Sequence, residues 1–158
     1  MIENTYPFLN DGYIAERDEL FFIFLSQGKE VIPKLVVFSP IEKGGQRYYN
    51  WGFGDMIYDN ESGNFRIDDK VQSNNGDAVT TFYTVISTLS IFFDHSPNAM
   101  VHIEGSNKQR AEIYRKIITR HWKQIEPLYE IKGGSNGGIA SFRDGLSFEY
   151  LLVSKRKL

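Results

Sequence analysis

Four short runs of apolar and aromatic residues, separated by turn sequences, occupy the stretch between residues 20 and 71. The first run, residues 20–25, is apolar throughout and rich in phenylalanine, which favours a buried strand. The segments between the runs are rich in glycine, asparagine and other turn-forming residues, as is typical of hairpins. The sequence therefore predicts four hairpin-linked strands, at residues 20–25, 31–39, 47–56 and 65–71.

Two helices are predicted after these strands. Residues 78–93 place apolar side chains at helical spacing, begin after good N-cap residues and contain no charged side chain. The polar side of this helix carries only small hydroxyls, so we expect it to be covered on both sides, by the core or alternatively by a partner or cofactor. Residues 107–126 form an amphipathic pattern that begins with a capping box, Ser106 and Gln109.

The remaining segments complete the predicted order of elements. A strand is predicted at residues 99–104, and residues 139–142 and 146–153 flank Asp144-Gly145 as a hairpin. The glycine-rich segment 132–138 is predicted to be a flexible loop, and the acidic residues 1–19 to be irregular. The expected fold is one α+β domain over residues 1–158, with a mixed, mostly antiparallel sheet and two main helices in the order β-meander–α–β–α–β–β.

Composition excludes several classes of function. The chain has no cysteine, which excludes disulfides, thiolate nucleophiles and cysteine-based zinc sites. Its net charge of −2 argues against a dedicated nucleic-acid binder, which usually carries a basic excess. No window approaches the roughly 18 apolar residues of a membrane helix, and the first residues do not form a secretory signal. A cytoplasmic protein of bacterial type is the expectation.

Arg110 is the first candidate binding residue. It falls on the inward side of the second predicted helix, one turn from the start, where a guanidinium requires a carboxylate or a bound anion. Backbone amides around Ser106, before the helix, could contact the same anion. An ion pair of Arg110 with Glu104 or Asp69, beside an ordinary helix cap, is the alternative.

A second candidate is the polar turn between the fourth strand and the first helix. Turns of this kind can hold a phosphate, although no Walker sequence follows and Asp77 would repel an anion. Magnesium bound by Asp68, Asp69 and Asp77 is another hypothesis, and helix capping with turn formation is the simpler one. The turn residues are Ser73, Asn74, Asn75 and Gly76.

A third candidate is Asp55, at the end of the third strand. Gly52 and Gly54 lie among aromatic residues just before it, which indicates a bulge or a close backbone approach. Asp55 could act as a general base or a metal ligand, and a turn aspartate is the alternative. The histidines carry little signal: no pair has the spacing of a metal site, and His102 is expected to point outward on its strand.

Parts of the chain resemble a family of small uncharacterised proteins from Bacteroidetes-type bacteria. The resemblance covers most of the chain and brings no activity with it. The phrases that carry it are residues 49–55, residues 68–77 and the segment Gly105-Ser106 with Arg110 and Tyr114.

The order of elements from about Val31 to the end is similar to that of the Gcn5-related N-acetyltransferases. In that family the turn after the meander binds the pyrophosphate of acetyl-CoA, and its counterpart here is residues 73–78. The resemblance also implies cofactor binding by Asn107 and a general acid at Tyr114, seven residues further on. It does not identify a base, for which Asp55 and Asp69 are the candidates. Ser73 replaces the usual Gln or Arg, and the two helices that follow the first strand in that family are absent.

Two functions follow from these observations. The first is a non-catalytic binding or interaction protein on an acetyltransferase-like scaffold, whose partner is an unknown protein or a small anionic ligand. The alternative is a divergent acyl-CoA-dependent N-acyltransferase that uses acetyl-CoA.

Overall fold

The structure is a computed structural model that describes residues 4–68, 74–104, 108–135, 138–142 and 148–157, apart from the side chains of residues 108–111, 113 and 117. Backbone contacts divide the chain into two compact units. The first unit comprises Met1–Ser39 and Gly52–His95, and the second comprises Pro40–Trp51 and Ser96–Leu158.

Nine strands form one mixed sheet in the described part of the chain. The strands are β1 (Phe8–Ile14), β2 (Glu19–Gln27), β3 (Val31–Lys43), β4 (Gln46–Asp59), β5 (Asn64–Asp68), β6 (Met100–Ile103), β7 (Tyr129–Ser135), β8 (Gly138–Ser141) and β9 (Tyr150–Lys155). Their hydrogen-bonded order is β1-β2-β3-β4-β6-β9-β7-β8, and β5 pairs with β4 outside this path. β4 and β6 run parallel at Tyr49 and Val101, and β1–β2 and β7–β9 are examples of antiparallel pairs. The helices are α1 (Ala78–His95), α2 (Lys108–Arg120) and α3 (Trp122–Ile125).

The predicted fold class, an α+β arrangement with two main helices and an acetyltransferase-like order, is wrong. The described chain is mostly sheet, and its helices have 18, 13 and four residues. Two strands account for much of the difference. β1 lies inside residues 1–19, which were expected to be irregular, and β7 includes most of the glycine-rich segment that was expected to be a loop.

β1 joins the sheet because its aromatic residues pack on β2. The ring of Phe8 lies 5.1 Å from that of Phe22, and a register shift follows between Phe8 and Asn10. β1 ends the hydrogen-bonded order of the sheet and so pairs along one edge only, and its exposed positions are Leu9, Asn10, Asp11 and Tyr13.

β7 contains two glycines because aromatic rings lie directly against its backbone. A Cβ at Gly133 would lie 2.1 Å from the Phe148 ring, and one at Gly134 would lie 2.0 Å from the Tyr150 ring. Glycine in a strand often marks such a close approach rather than flexibility. β7 pairs with β9 on one edge and with β8 on the other, so the predicted hairpin between residues 139–142 and 146–153 is also wrong.

Several predicted elements are confirmed. The four strands of the first half correspond to β2, β3, β4 and β5, and the strand at 99–104 corresponds to β6. The helix predicted at residues 78–93 is α1. The helix predicted at residues 107–126 is divided into α2 and α3, with His121 between them.

In the first unit, α1 packs on one face of the sheet, which we call the inner face. This face carries Leu20, Phe22, Phe24 and Ser26 of β2, opposite Phe38, Val36, Lys34 and Ile32 of β3. The rings of Phe38 and Phe92 stack with their centroids 4.4 Å apart, and Phe53 of β4 meets Phe82 edge-to-face at 5.7 Å. Both Phe38 and Phe92 are fully buried, so this stack anchors the end of α1 to the sheet.

The hydroxyl side of α1 is also covered within this unit. Thr81, Thr84 and Thr88 are buried. The backbone N–H of Tyr6 donates to Thr84 Oγ1 at 2.8 Å, and Thr84 in turn donates to the Thr80 carbonyl. The threonine side of α1 therefore belongs to the core, and it packs against the segment that leads into β1.

The second unit has its own buried cluster. Its members come from β6, β7, β9, α2 and α3, and they are Val101, Ile103, Ile118, Ile125, Ile131, Leu151, Leu152 and Val153.

Replacing Phe92 tests whether α1 is held by the inner face. We expect Phe92→Ala to lower the free energy of unfolding by about 3–5 kcal/mol, because it removes a buried ring and leaves a cavity. Ile91→Ala is the matched control on the exposed side of the same turn, and it should cost less than about 1 kcal/mol. Denaturant unfolding of both variants measures the difference, and equal costs would contradict the placement of α1.

Candidate binding surfaces

The segment predicted to hold a pyrophosphate lies against the turn between β2 and β3. Asn75 is 5% exposed, and its side-chain amide donates to Ser26 Oγ at 2.9 Å and to the Glu30 carbonyl at 2.8 Å. Its Oδ1 accepts from the Glu30 N–H at 2.8 Å, and its carbonyl accepts from the Lys29 N–H at 2.8 Å. The Asn75 side chain is thus fully engaged within the first unit. A Cβ at Gly28 would lie 1.8 Å from the Asn75 carbonyl oxygen, so the turn closes tightly on this residue.

Asp77, immediately before α1, extends the same set of contacts. Its Oδ2 accepts hydrogen bonds from Tyr6 Oη at 2.6 Å and from Ser26 Oγ at 2.5 Å. Burial alone would raise the pKa of Asp77, but the hydrogen bonds from Ser26 and Tyr6 outweigh it and hold the pKa below its usual value. Burial and the bond to Asp77 together raise the pKa of Tyr6. We call Asn75, Asp77, Tyr6, Ser26 and Glu30 the helix-start network.

The neighbours of Asn75 are placed differently. Asn74 and Gly76 are exposed, and Gly76 has a φ of +82°, which a glycine adopts without strain. Ser73 lies outside the described residues. A cofactor role for Ser73, Asn74, Asn75 and Gly76 stays a prediction, and the observed contacts of Asn75 are those of a structural residue.

Asp55 is held in an ion pair with Lys34 on the inner face. Both side chains are largely buried, at 13% and 8% exposure, and β3 and β4 are neighbours in the sheet. Asp68 on β5 lies directly opposite Asp55 in the ladder, which places two carboxylates and one ammonium in one row. A buried ammonium requires such a counter-charge. The ion pair with Lys34 therefore explains why Asp55 is buried here without invoking a role in catalysis or metal binding. Its role as a base stays a prediction, and Asp69 lies outside the described residues.

The candidates of the second helix belong to the second unit. Tyr114 is half-buried on α2, with its ring 6.1 Å from that of Trp51. The backbone of Arg110 lies in the first turn of α2, whereas its side chain, like Ser106 and Asn107, lies outside the described part. The anion site at Arg110 and the acid role of Tyr114 therefore stay predictions.

His102 is a buried residue that the sequence did not identify. It was expected to point outward, but its exposure is 3%. Three successive residues of β6 are buried, so both faces of this strand are covered and alternation cannot predict which side chains are exposed. The imidazole stacks on the Tyr150 ring at 4.9 Å, and Nε2 lies 3.4 Å from Lys43 Nζ. Nδ1 is buried and has no hydrogen-bond partner among the residues that the structure describes. Since Lys43 carries three donors, Nε2 is the acceptor and Nδ1 bears the proton.

These surroundings disfavour the charged imidazolium. Burial lowers the pKa of His102, the positive charge of Lys43 lowers it further, and the carboxylate of Glu104 opposes both effects. Glu104 pairs with Lys43 at 3.6 Å. Burial and the charge of Lys43 thus outweigh Glu104 and favour a neutral imidazole at His102.

No group of three or more acidic or histidine side chains that could hold a metal ion occurs among residues 4–68, 74–104 and the other described segments. Asp68 faces Lys34 and Asp55, and Asp77 is engaged by Tyr6 and Ser26. The magnesium hypothesis also includes Asp69, which lies outside these segments.

The face of the first unit's sheet opposite α1, which we call the outer face, presents an apolar patch. Side chains alternate along a strand, so the neighbours of the inward Lys34 and Asp55 point to the outer face. Leu25 lies opposite Pro33, Met56 opposite Ile67, and Tyr58 opposite Phe65. With Val31, these residues define the outer patch: Leu25, Val31, Pro33, Met56, Tyr58, Phe65 and Ile67.

The outer patch is accessible and uncharged. Val31, Tyr58 and Phe65 are 64%, 55% and 56% exposed, and the other four members are partly exposed. The only helix among the described residues of this unit is α1, and it packs on the inner face. The sequence signal for this patch is the alternation of β5, which places the apolar Phe65 and Ile67 on the outer face and its polar residues on the inner one.

Replacing Asn75 tests the structural role of the polar turn. We expect Asn75→Ala to lower the free energy of unfolding by about 2–4 kcal/mol, because it removes a buried side chain together with its hydrogen bonds to the Glu30 N–H, the Glu30 carbonyl and the Ser26 hydroxyl. Asn74→Ala, at the adjacent exposed position, should change stability by less than about 0.5 kcal/mol. Thermal or denaturant unfolding measures both, and a neutral Asn75→Ala would refute the structural role.

Replacing His102 tests its environment through the pH dependence of stability. Because the folded state lowers the pKa of His102 below 6.5, the unfolded state binds more protons, and the stabilising effect of neutral His102 is lost as the pH falls below 6.5. His102→Phe should remove up to about 1.4 kcal/mol of acid destabilisation per pH unit in that range. Denaturant unfolding at neutral and mildly acidic pH measures the change.

His95→Gln is the control for this measurement, because His95 is exposed. It should keep the pH dependence of the unchanged chain. An unaltered acid response in His102→Phe would contradict the environment described for this imidazole.

The comparisons with known proteins place the chain in a family without assigning an activity. No curated protein and no solved structure matches it. None of its described helices is both long and apolar enough to cross a membrane. A family model described as a family of unknown function, DUF6934, matches residues 4–156. This match confirms the resemblance to an uncharacterised family, and the chain belongs to DUF6934.

Proposed function

We propose that this chain is a non-catalytic binding protein that docks another protein on the outer patch. The observation that supports this proposal is the position of seven apolar residues on the outer face of the first unit, three of them more than half exposed. Isolated exposed apolar residues are normal, but a contiguous apolar patch is typical of interaction sites.

The composition of the patch suits binding. Tyr58 and Phe65 are cross-strand partners whose rings meet edge-to-face at 5.4 Å, so each ring restrains the other before any partner arrives. Aromatic residues with few rotatable bonds lose little entropy on binding and are enriched among the residues that dominate interface energies.

The other expectations have less support. The acyltransferase alternative depended on an acetyltransferase-like arrangement, which the nine-stranded sheet does not have. A small anionic ligand at Arg110 stays a prediction, as does a cytoplasmic location. The outer patch is the surface whose exposure and chemistry point to binding.

A site-specific photo-crosslinker tests the proposal. Benzoylphenylalanine in place of Phe65 should give a covalent adduct with a protein when cells that express the chain are irradiated, because Phe65 would lie inside the interface. Val79 is the matched control, since it is an equally exposed apolar residue on α1. Failure to form an adduct from Phe65, or equal adducts from both positions, would contradict docking on the outer patch.

A further inference from the structure

We infer that Asn75 is a site of spontaneous deamidation whose reaction is prevented by the helix-start network and proceeds only when that network opens. The inference involves none of the residues of the outer patch and does not depend on the proposed function. It follows from the sequence Asn75-Gly76, from the contacts of the Asn75 side chain and from the effect that deamidation would have on those contacts.

The chemistry is that of an asparagine followed by a glycine. Asparagine is a chemically labile residue, and a following glycine has no side chain to hinder attack by its own amide nitrogen. The nitrogen of Gly76 attacks the side-chain carbonyl carbon of Asn75, and a C–N bond forms that closes a cyclic succinimide. The bond from that carbon to Nδ2 breaks, and Nδ2 leaves as ammonia with the proton of the Gly76 amide. Water then opens the ring to an aspartate or an isoaspartate.

The departing nitrogen is held in place by the fold. Asn75 Nδ2 donates to Ser26 Oγ at 2.9 Å and to the Glu30 carbonyl at 2.8 Å, and both hydrogen bonds must break before ammonia can leave. Oδ1 is also engaged, by the Glu30 N–H at 2.8 Å, and the residue is only 5% exposed, which restricts access of water. The reaction at Asn75 therefore requires a local opening that separates this residue from the β2–β3 turn.

The structure requires both residues of this labile pair. Asn75 supplies the amide that bonds the β2–β3 turn, and Gly76 has a φ of +82°, which glycine adopts without strain. Gly76 is exposed, and the nearest atoms to a Cβ placed on it belong to the Lys29 side chain, 3.9 Å away. The attacking nitrogen thus belongs to a surface residue, and the hydrogen bonds of the Asn75 side chain are what oppose the reaction.

The product of deamidation does not fit the network. An aspartate at position 75 has no N–H group to donate, so Ser26 Oγ and the Glu30 carbonyl would each lose a donor. Asp77 Oδ2 already accepts from Ser26 Oγ at 2.5 Å, so a second carboxylate would compete for the same hydroxyl proton. An isoaspartate would also lengthen the backbone at the residue whose carbonyl accepts from the Lys29 N–H. Deamidation during a transient opening therefore leaves a chain that cannot re-form the network.

Mass spectrometry of the purified full chain during incubation at neutral pH tests the inference. We expect Asn75 to deamidate about tenfold or more slowly in the folded chain than in guanidinium chloride, because only the open fraction of the folded chain reacts. Asn136-Gly137 is the other Asn-Gly sequence of the chain and calibrates the intrinsic rate. The two asparagines should react at similar rates in the denaturant.

A pair of serine variants tests whether the hydrogen bonds are responsible. Ser26→Ala removes one of the two acceptors of Asn75 Nδ2, so deamidation of Asn75 in the folded chain should become severalfold faster. Ser87→Ala is the matched control, because Ser87 Oγ donates to the Thr84 carbonyl within α1. It should leave the rate at Asn75 unchanged.

A pair of aspartate variants tests the effect of the product. Asn75→Asp should unfold at a lower temperature than Asn74→Asp, which adds the same charge at the adjacent exposed position. Equal stability of these two variants would overturn the incompatibility of the product with the network.

The rates in the folded chain decide the remaining statements. A rate at Asn75 that equals or exceeds the rate in denaturant would overturn the inference, because it would show that the network does not oppose the reaction. An unchanged rate in Ser26→Ala, or an equal increase in Ser87→Ala, would overturn the role of the Nδ2 hydrogen bonds. Slow reaction in the folded chain, with an increase in Ser26→Ala alone, is the result that the inference predicts.

Discussion

The position of α1 depends on the hydrogen bonds of Asn75 and Asp77. These two residues connect the start of the helix to the β2–β3 turn and to the N-terminal segment. With its start held there and its end stacked through Phe92, α1 covers the inner face of the first unit. Among the described residues, a helix of the same unit covers one face of that sheet, and seven apolar residues of the other face form the outer patch.

Much of the first unit could be predicted from the sequence, because its signals are local. The apolar runs of β2, β3 and β4 and the helical spacing of α1 each identify an element without reference to the rest of the chain. β1 and β7 were missed because their strands are stabilised by non-local contacts. The rings of Phe22 and Tyr150 belong to other strands, β2 and β9. The residues of β1 and β7 alone therefore do not indicate which rings pack against them.

The functional candidates were less predictable for the same reason. The residue types of the polar turn suit either phosphate binding or capping, and only the contacts of Asn75 with Ser26 and Glu30 show how the turn is used here. The pairing of Lys34 with Asp55 and the burial of His102 likewise arise from strand neighbours that the sequence does not specify. The outer patch can be identified only once the structure shows which face α1 covers. Alternation along a strand separates the side chains into two faces but does not say which of them is buried.

The central claim is that the outer patch is a protein-binding surface. Hydroxyl-radical footprinting of the chain in the cells that express it, compared with the purified chain, tests it most directly, because it reports the solvent access of individual side chains. We expect Tyr58 and Phe65 to be less reactive in cells than in the purified chain, while Tyr13, an exposed ring outside the patch, is equally reactive in both. Equal reactivity of Tyr58 and Phe65 in the two samples would contradict the account.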